Sequence, residues 1–125
     1  MADPVLALRE IARLLEKRGG QTRRAQAFRR AAGVLTDLDP AERARIDATR
    51  AWATLPGIGA TTAKVIGEAH SGRLPGYLAE LEASDGPLAP DNPVRDALRG
   101  DLHTHTEWSD GCCPIEEMVL EASRL

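Results

Sequence analysis

The chain has 125 residues, of which 42% are apolar and 28% charged, which suits one ordinary domain or a small domain plus a fragment. Only one Phe, one Tyr and two Trp are present, so the core must be built from Leu, Ile, Val and Ala, a composition that favours helices; no apolar run approaches the roughly 20 residues of a membrane span. The net charge of −3 hides an asymmetry: residues 1–80 carry 13 Lys/Arg against 9 Asp/Glu, a net of +4, and residues 81–125 carry 3 against 10, a net of −7, so the acidic total does not exclude a nucleic-acid partner.

Asp3-Pro4 is a helix start, with Asp as N-cap and Pro at the first helical position. Val5, Leu8, Ile11, Ala12 and Leu15 follow at spacings of three and four residues and form one apolar stripe. Gly19-Gly20 ends that helix. Thr22 is the expected cap of a second helix, with Ala27, Phe28, Ala31, Ala32 and Leu35 on its buried face and Arg23, Arg24, Arg29 and Arg30 on the other. Asp39-Pro40 repeats the start signal and predicts a short third helix over residues 41–46, with a further turn over 49–53. Leu55-Pro56-Gly57-Ile58-Gly59 breaks the pattern. Helix resumes over residues 60–69, with Ala63, Val65 and Ile66 apolar, and Gly72 stops it. One more helix follows over 75–83, with Leu74, Leu78 and Leu81 inward.

Residues 84–93 contain Pro87, Pro90, Pro93 and Gly86 among acids, a linker composition that coincides with the charge reversal. The expected organisation is therefore a helical domain over 1–83, a linker over 84–98 and a strand-loop-helix fragment over 99–125. On that strand His103 and His105 alternate. A strand has side-chain period two, so both point one way, which is how a sheet presents two imidazoles to one metal. Pro114 opens the last helix, with Ile115, Met118, Val119 and Ala122 on one side. Adjacent cysteines such as Cys112 and Cys113 seldom bridge each other, because the geometry is strained. No signal-peptide pattern opens the chain, and a soluble cytoplasmic protein is expected.

The glycine turn carries the first chemistry. Gly57 and Gly59 permit positive φ and close approach of another backbone, and Ile58 between them can plug into the core. The amides of Gly59, Ala60 and Thr61 lie at the start of the next helix, where they have no intrahelical partner and the dipole favours an anion. A DNA phosphate is a natural occupant. The candidate DNA contacts are Gly57, Gly59, Ala60, Thr61 and Lys64, joined by Arg24, Arg29 and Arg30 from the second helix. The competing reading is a plain turn between packed helices, used for protein contact, with the arginines forming a solvated face.

Residues 55–66 resemble the second half of a helix-hairpin-helix motif. The wider span 4–83, about two thirds of the chain, resembles the N-terminal helical domain of family X DNA polymerases, the lyase domain of the DNA polymerase beta type. Phe28-Arg29-Arg30-Ala31-Ala32 matches the family's aromatic-basic-basic-Ala-Ala run, and Gly72-Arg73-Leu74 matches its ending. The resemblance implies a mainly α fold, a compact domain of about four to six helices, that binds DNA phosphate through backbone amides. It also implies a monovalent cation held by turn carbonyls near Ala53, Leu55 and Ile58. The family's lyase step uses a lysine amine that attacks an abasic sugar as a Schiff base. Aligned on Leu-Pro-Gly, that lysine position falls on Val65 and another basic position falls on Thr61. Lys64 is adjacent to Val65 in sequence but turned about 100° around the helix. Binding without the lyase step is expected, with a residual abasic lyase using Lys64 as the alternative.

Asp101-Leu102-His103-Thr104-His105-Thr106, followed by Ser109-Asp110-Gly111, resembles the first motif of the polymerase-and-histidinol-phosphatase (PHP) superfamily. Those proteins are distorted β/α barrels that hydrolyse phosphoesters at a divalent-metal cluster. The resemblance implies His103 and His105 as ligands of Zn or Mn, Asp110 as a further ligand or a group holding one, and Asp101 as an orienting residue. Metals about 3.5–4 Å apart generate hydroxide and stabilise a phosphoryl transition state. The remaining ligands of such a cluster come from later strands, so this chain alone is expected to be inactive. The linker over 84–98 leaves no room for a polymerase palm. The parent is then a DNA-binding module joined to a phosphoesterase or nuclease. The alternative is a small-molecule phosphatase whose helical domain serves interaction or assembly. The β/α fragment would expose an unpaired strand edge and an apolar helix face, which could drive dimerisation.

Overall fold

The computed structural model describes residues 3–84, 93, 97, 99, 104–109, 111 and 113–124. The chain divides into two compact units, Met1–Gly86 and Pro87–Leu125. The first contains α1 (Pro4–Lys17), α2 (Thr22–Asp37), α3 (Pro40–Thr49), a single 3₁₀ turn (Trp52–Thr54), α4 (Ala60–His70) and α5 (Gly76–Ser84). In the second, α6 spans Ile115–Arg124. None of the helices described is long and apolar enough to cross a membrane.

Helix α1 starts where Asp3-Pro4 directs it: the Asp3 carboxylate accepts from the Val5 amide at 2.8 Å, and Pro4 occupies the first turn, where its missing N–H costs nothing. Leu8, Ile11, Ala12, Leu14 and Leu15 are all buried. These positions cover more than one face, because α1 is the central element and packs against α2, α4 and α5. Two left-handed glycines, Gly19 at φ 70° and Gly20 at φ 73°, turn the chain into α2.

Helix α2 departs from expectation in two respects. Thr22 lies inside the helix; Gln21 precedes it and makes no side-chain cap. The buried row is Ala25, Phe28, Ala31, Ala32 and Leu35, and Ala27 is exposed. The spacing 25–28–32–35 holds a single stripe at 3.6 residues per turn, and Ala27 lies about 100° away from Phe28. Phe28 reaches across to Tyr77 of α5, with ring centroids 5.1 Å apart.

Asp39 caps α3 by accepting from the amides of Ala41 and Glu42, at 3.0 and 3.4 Å. The helix runs to Thr49, three residues beyond the expected end, because no Gly or Pro interrupts it before Arg50 adopts the left-handed conformation at φ 55°. The 3₁₀ turn buries Trp52. Gly67 on α4 makes room for that indole: a Cβ there would lie 3.2 Å from its Cζ3. Helix α5 begins at Gly76, whose amide donates to Glu68 at 3.0 Å, and it buries Leu78 and Leu81. Leu74, expected inward, is 58% exposed; it precedes the helix and so escapes its periodicity.

In the second unit the expected strand is not borne out among the described residues. Thr104, His105 and Thr106 have no regular structure, and residues 107–109 form a turn. A strand needs a neighbour to take up its ladder of N–H and C=O groups, and none of the described residues is in strand. The turn is closed by Ser109 and Gly111, whose amides both donate to the Thr106 carbonyl, at 2.9 and 3.1 Å, and by the Glu107 amide, which donates to the Cys113 carbonyl at 2.9 Å. Only glycine fits at 111: a Cβ would lie 2.6 Å from the carbonyl carbon of His105. Helix α6 has no buried residue, and Ile115, Val119 and Leu120 are exposed.

Candidate nucleic-acid interface

The connection between the 3₁₀ turn and α4 is a type II β-turn. Pro56 and Gly57 are its two central residues, and the Ile58 amide donates to the Leu55 carbonyl at 3.2 Å. Proline pre-sets φ at the first central position, and the second requires positive φ, which Gly57 supplies at 87°. Gly57 also has close neighbours. A Cβ on it would meet Arg30 Cδ at 3.3 Å and Val34 Cγ2 at 3.4 Å, so the turn rests directly on α2. Ile58 is buried and pins the turn to the core.

Gly59 is different. Its φ is −91°, which any residue adopts, and a Cβ on it would meet nothing within 4 Å. Its amide donates to the Thr62 hydroxyl at 2.9 Å, and that hydroxyl donates back to the Gly59 carbonyl at 3.0 Å. Of the three amides the sequence offered, Gly59 is therefore engaged. Those of Ala60 and Thr61 begin α4, with no partner among the described residues, as the first turn of a helix dictates. Thr61 and Lys64 are exposed and three residues apart, on one face of α4. Val65 is 2% exposed and belongs to the core.

The structure sorts the basic residues of α2. Arg30 is exposed and its aliphatic stem covers Gly57, so it stands beside the hairpin. Arg23 precedes it by seven residues, two helical turns, and shares its face; it is exposed. Arg23 was not among the sequence-derived contacts, although its spacing from Arg30 was there to be read. Arg24 turns toward α5, with Nη1 3.4 Å from the Tyr77 hydroxyl. Arg29 is largely buried and forms a two-pronged ion pair with Glu16 of α1, one arm at 2.6 Å. Gly57, Arg30 and the start of α4 are thus brought together, while Arg24 and Arg29 are directed elsewhere.

Of the histidine motif, His103 and Asp110 lie outside the described residues. His105 is exposed, and the Ser109 hydroxyl lies 3.4 Å from its Nδ1. Among the described residues no group of three or more His, Cys, Asp or Glu is placed to hold a metal.

Neither the curated proteins nor the solved structures contain a match to this chain. A family model described as a helix-hairpin-helix domain matches residues 2–72, which takes in α1 to α4 and the Leu-Pro-Gly turn. Domains of this kind typically bind DNA without sequence preference. With the turn, its glycine geometry and the match over more than half its length, the chain belongs to the helix-hairpin-helix domain family.

Proposed function

We propose that the first unit binds DNA through the phosphate backbone, without reading bases. The observation that carries this is the start of α4, where two amides without a partner among the described residues stand beside a glycine that neither its backbone angles nor its neighbours require. A phosphate can come close over Gly59, accept from Ala60 and Thr61, and sit at the positive end of the helix dipole. The Thr61 hydroxyl, Lys64 and Arg30 flank that position and serve adjacent phosphates, with Arg23 extending the row. Such contacts fix register and carry no sequence information. A monovalent cation on the carbonyls near Ala53, Leu55 and Ile58 belongs to the same reading.

The test is a binding titration with duplex and gapped DNA at rising salt. Each phosphate neutralised contributes about 0.9 to the slope of log K against log salt, so Arg30, Lys64 and Arg23 together imply a slope near −3. No binding at low salt would return the domain to the other reading, an assembly module of a small-molecule phosphatase. The proposal is binding without the lyase step, since the lysine position is occupied by the buried Val65. Borohydride trapping on abasic DNA should give no adduct; an adduct lost in Lys64→Ala would establish the lyase instead.

Residues 99–125 are, in the same proposal, the start of a PHP-type phosphoesterase in a longer parent. Support comes from the spacing of His103, His105 and Asp110 and from the Ser109 hydroxyl at His105, since a second hydrogen bond of this kind orients a ligating imidazole. Imidazole and carboxylate donors suit Zn or Mn, which would supply an activated water at a phosphoester. In a parent carrying the remaining ligands, His105→Ala should remove bound metal and phosphoesterase activity together. The exposed α6 face offers self-association, and sedimentation velocity would detect the dimer.

A further inference from the structure

We infer that Asp47 is a positioning residue for the DNA-binding hairpin, an inference that rests on the DNA-binding reading above. One carboxylate on α3 holds two partners. Its Oδ1 accepts from Trp52 Nε1 at 2.7 Å, and its Oδ2 accepts from Arg43 Nε at 2.9 Å. Arg43 in turn donates through Nη1 to the Leu35 carbonyl at 2.9 Å. Leu35 lies in the last turn of α2, where carbonyls lack intrahelical partners. Asp47 therefore ties the end of α2 to the indole of Trp52.

Trp52 carries the constraint onward. Its ring is 4% exposed, lies over Gly67 on α4 and meets the His70 ring at 5.4 Å. Its own carbonyl accepts from the Leu55 amide at 3.1 Å, and Leu55 opens the type II turn. The proposed phosphate ligands come from two places: amides at the start of α4, and Arg30 and Arg23 on α2. Two arrays can engage one backbone together only if their separation is fixed. Gly57 against Arg30 sets that separation at the turn, and the Asp47 network sets it at the far end of α2. The Trp52 indole and the Arg43 guanidinium both converge on this carboxylate, which is itself 19% exposed. The three groups are engaged with one another and with the Leu35 carbonyl, so each acts through the hairpin and not on the phosphate.

The experiment compares DNA affinity and salt slope in the wild type, Asp47→Ala, Trp52→Phe and the double variant, at a temperature where circular dichroism shows full helicity. Asp47→Ala should weaken binding about three- to tenfold and flatten the salt slope, because one array loses its phosphates. Trp52→Phe keeps an aromatic side chain but loses the pyrrole ring with its N–H, and should reproduce part of the loss. The double variant should be no worse than Asp47→Ala alone. If Asp47→Ala loses helicity, Asp47→Asn, which keeps an acceptor for the indole, takes its place and should show the weaker binding and the flatter slope. A folded Asp47 variant with unchanged affinity and slope, or fully additive losses, would overturn the inference. Wild-type protein that fails to bind at low salt would overturn the DNA-binding reading itself, which is a separate result.

Discussion

Arg29 and Arg30 are neighbours in sequence and have opposite assignments. A helix advances 100° per residue, enough to move a guanidinium from the α1 contact to the hairpin. Arg29→Gln leaves Glu16 partly buried with its main partner gone, and a charged hydrogen bond of that kind is worth about 1.5–3 kcal/mol. Chemical denaturation should show that loss. Arg30→Gln should leave stability within about 0.5 kcal/mol and reduce the salt slope of DNA binding by about 1. The two hairpin glycines separate in the same way. Gly57→Ala places a Cβ in the left-handed region against Arg30, costing about 1–2 kcal/mol, read as a lower melting temperature. Gly59→Ala meets no strain and no neighbour, so its melting temperature should change little. Its DNA affinity should fall, because the methyl group stands where the phosphate is proposed to approach. Equal affinity in Gly59→Ala would remove the close approach from the reading.

At the level of elements, the hairpin is held from behind. Helix α1 is the hub, and α2, α4 and α5 each pack on it, so the turn between α3 and α4 is only as rigid as that packing. Phe28 links two of these layers, buried at 2% exposure and set against Tyr77. Phe28→Ala should cost about 3–5 kcal/mol through lost transfer energy and the cavity left behind. In a domain whose total stability is about 5–15 kcal/mol, that is enough to lower the urea midpoint sharply while leaving the urea m-value unchanged. Phe28→Leu should cost much less, because volume and apolar character are largely kept. The polar devices act at helix ends. Asp3 and Asp39 cap two starts, Glu68 caps a third, and Arg18 donates to the Leu81 carbonyl at 2.6 Å near the end of α5.

Over the whole molecule, the division of charge between the two units has a consequence. The unit Met1–Gly86 carries 13 Lys/Arg and 11 Asp/Glu, a net of +2, and residues 87–125 carry 3 and 8, a net of −5. Every buried apolar side chain among the described residues lies at or before Leu81, so the first unit contains its own core. Residues 1–86 alone should therefore fold, and they should bind DNA more tightly than the full chain at low ionic strength. The difference should vanish as salt shortens the Debye length to about 3 Å at 1 M. Parallel titrations of the two proteins check this, and a difference that persists at high salt would indicate an origin other than net charge.

Local chemistry alone fixed the helix starts at Asp3-Pro4 and Asp39-Pro40, the glycine stops, and the Leu-Pro-Gly turn with its free amides. Each depends on neighbours a few residues away, through φ restriction and side-chain capping, which a sequence displays directly. The α1 stripe was legible for the same reason, since period 3.6 is a local signal. Tertiary structure decided what no local signal carries. It chose Ala25 over Ala27, left Leu74 outside, paired Arg29 with Glu16 thirteen residues away, and brought Asp47 to Trp52 and Arg43 together. It also withheld strand structure from Thr104–Thr106, because a ladder needs a partner that periodicity cannot supply. Which arginine faces the hairpin depends on the rotation of α2 against α1, and that angle is set by packing, where residues distant in sequence compete for one interior.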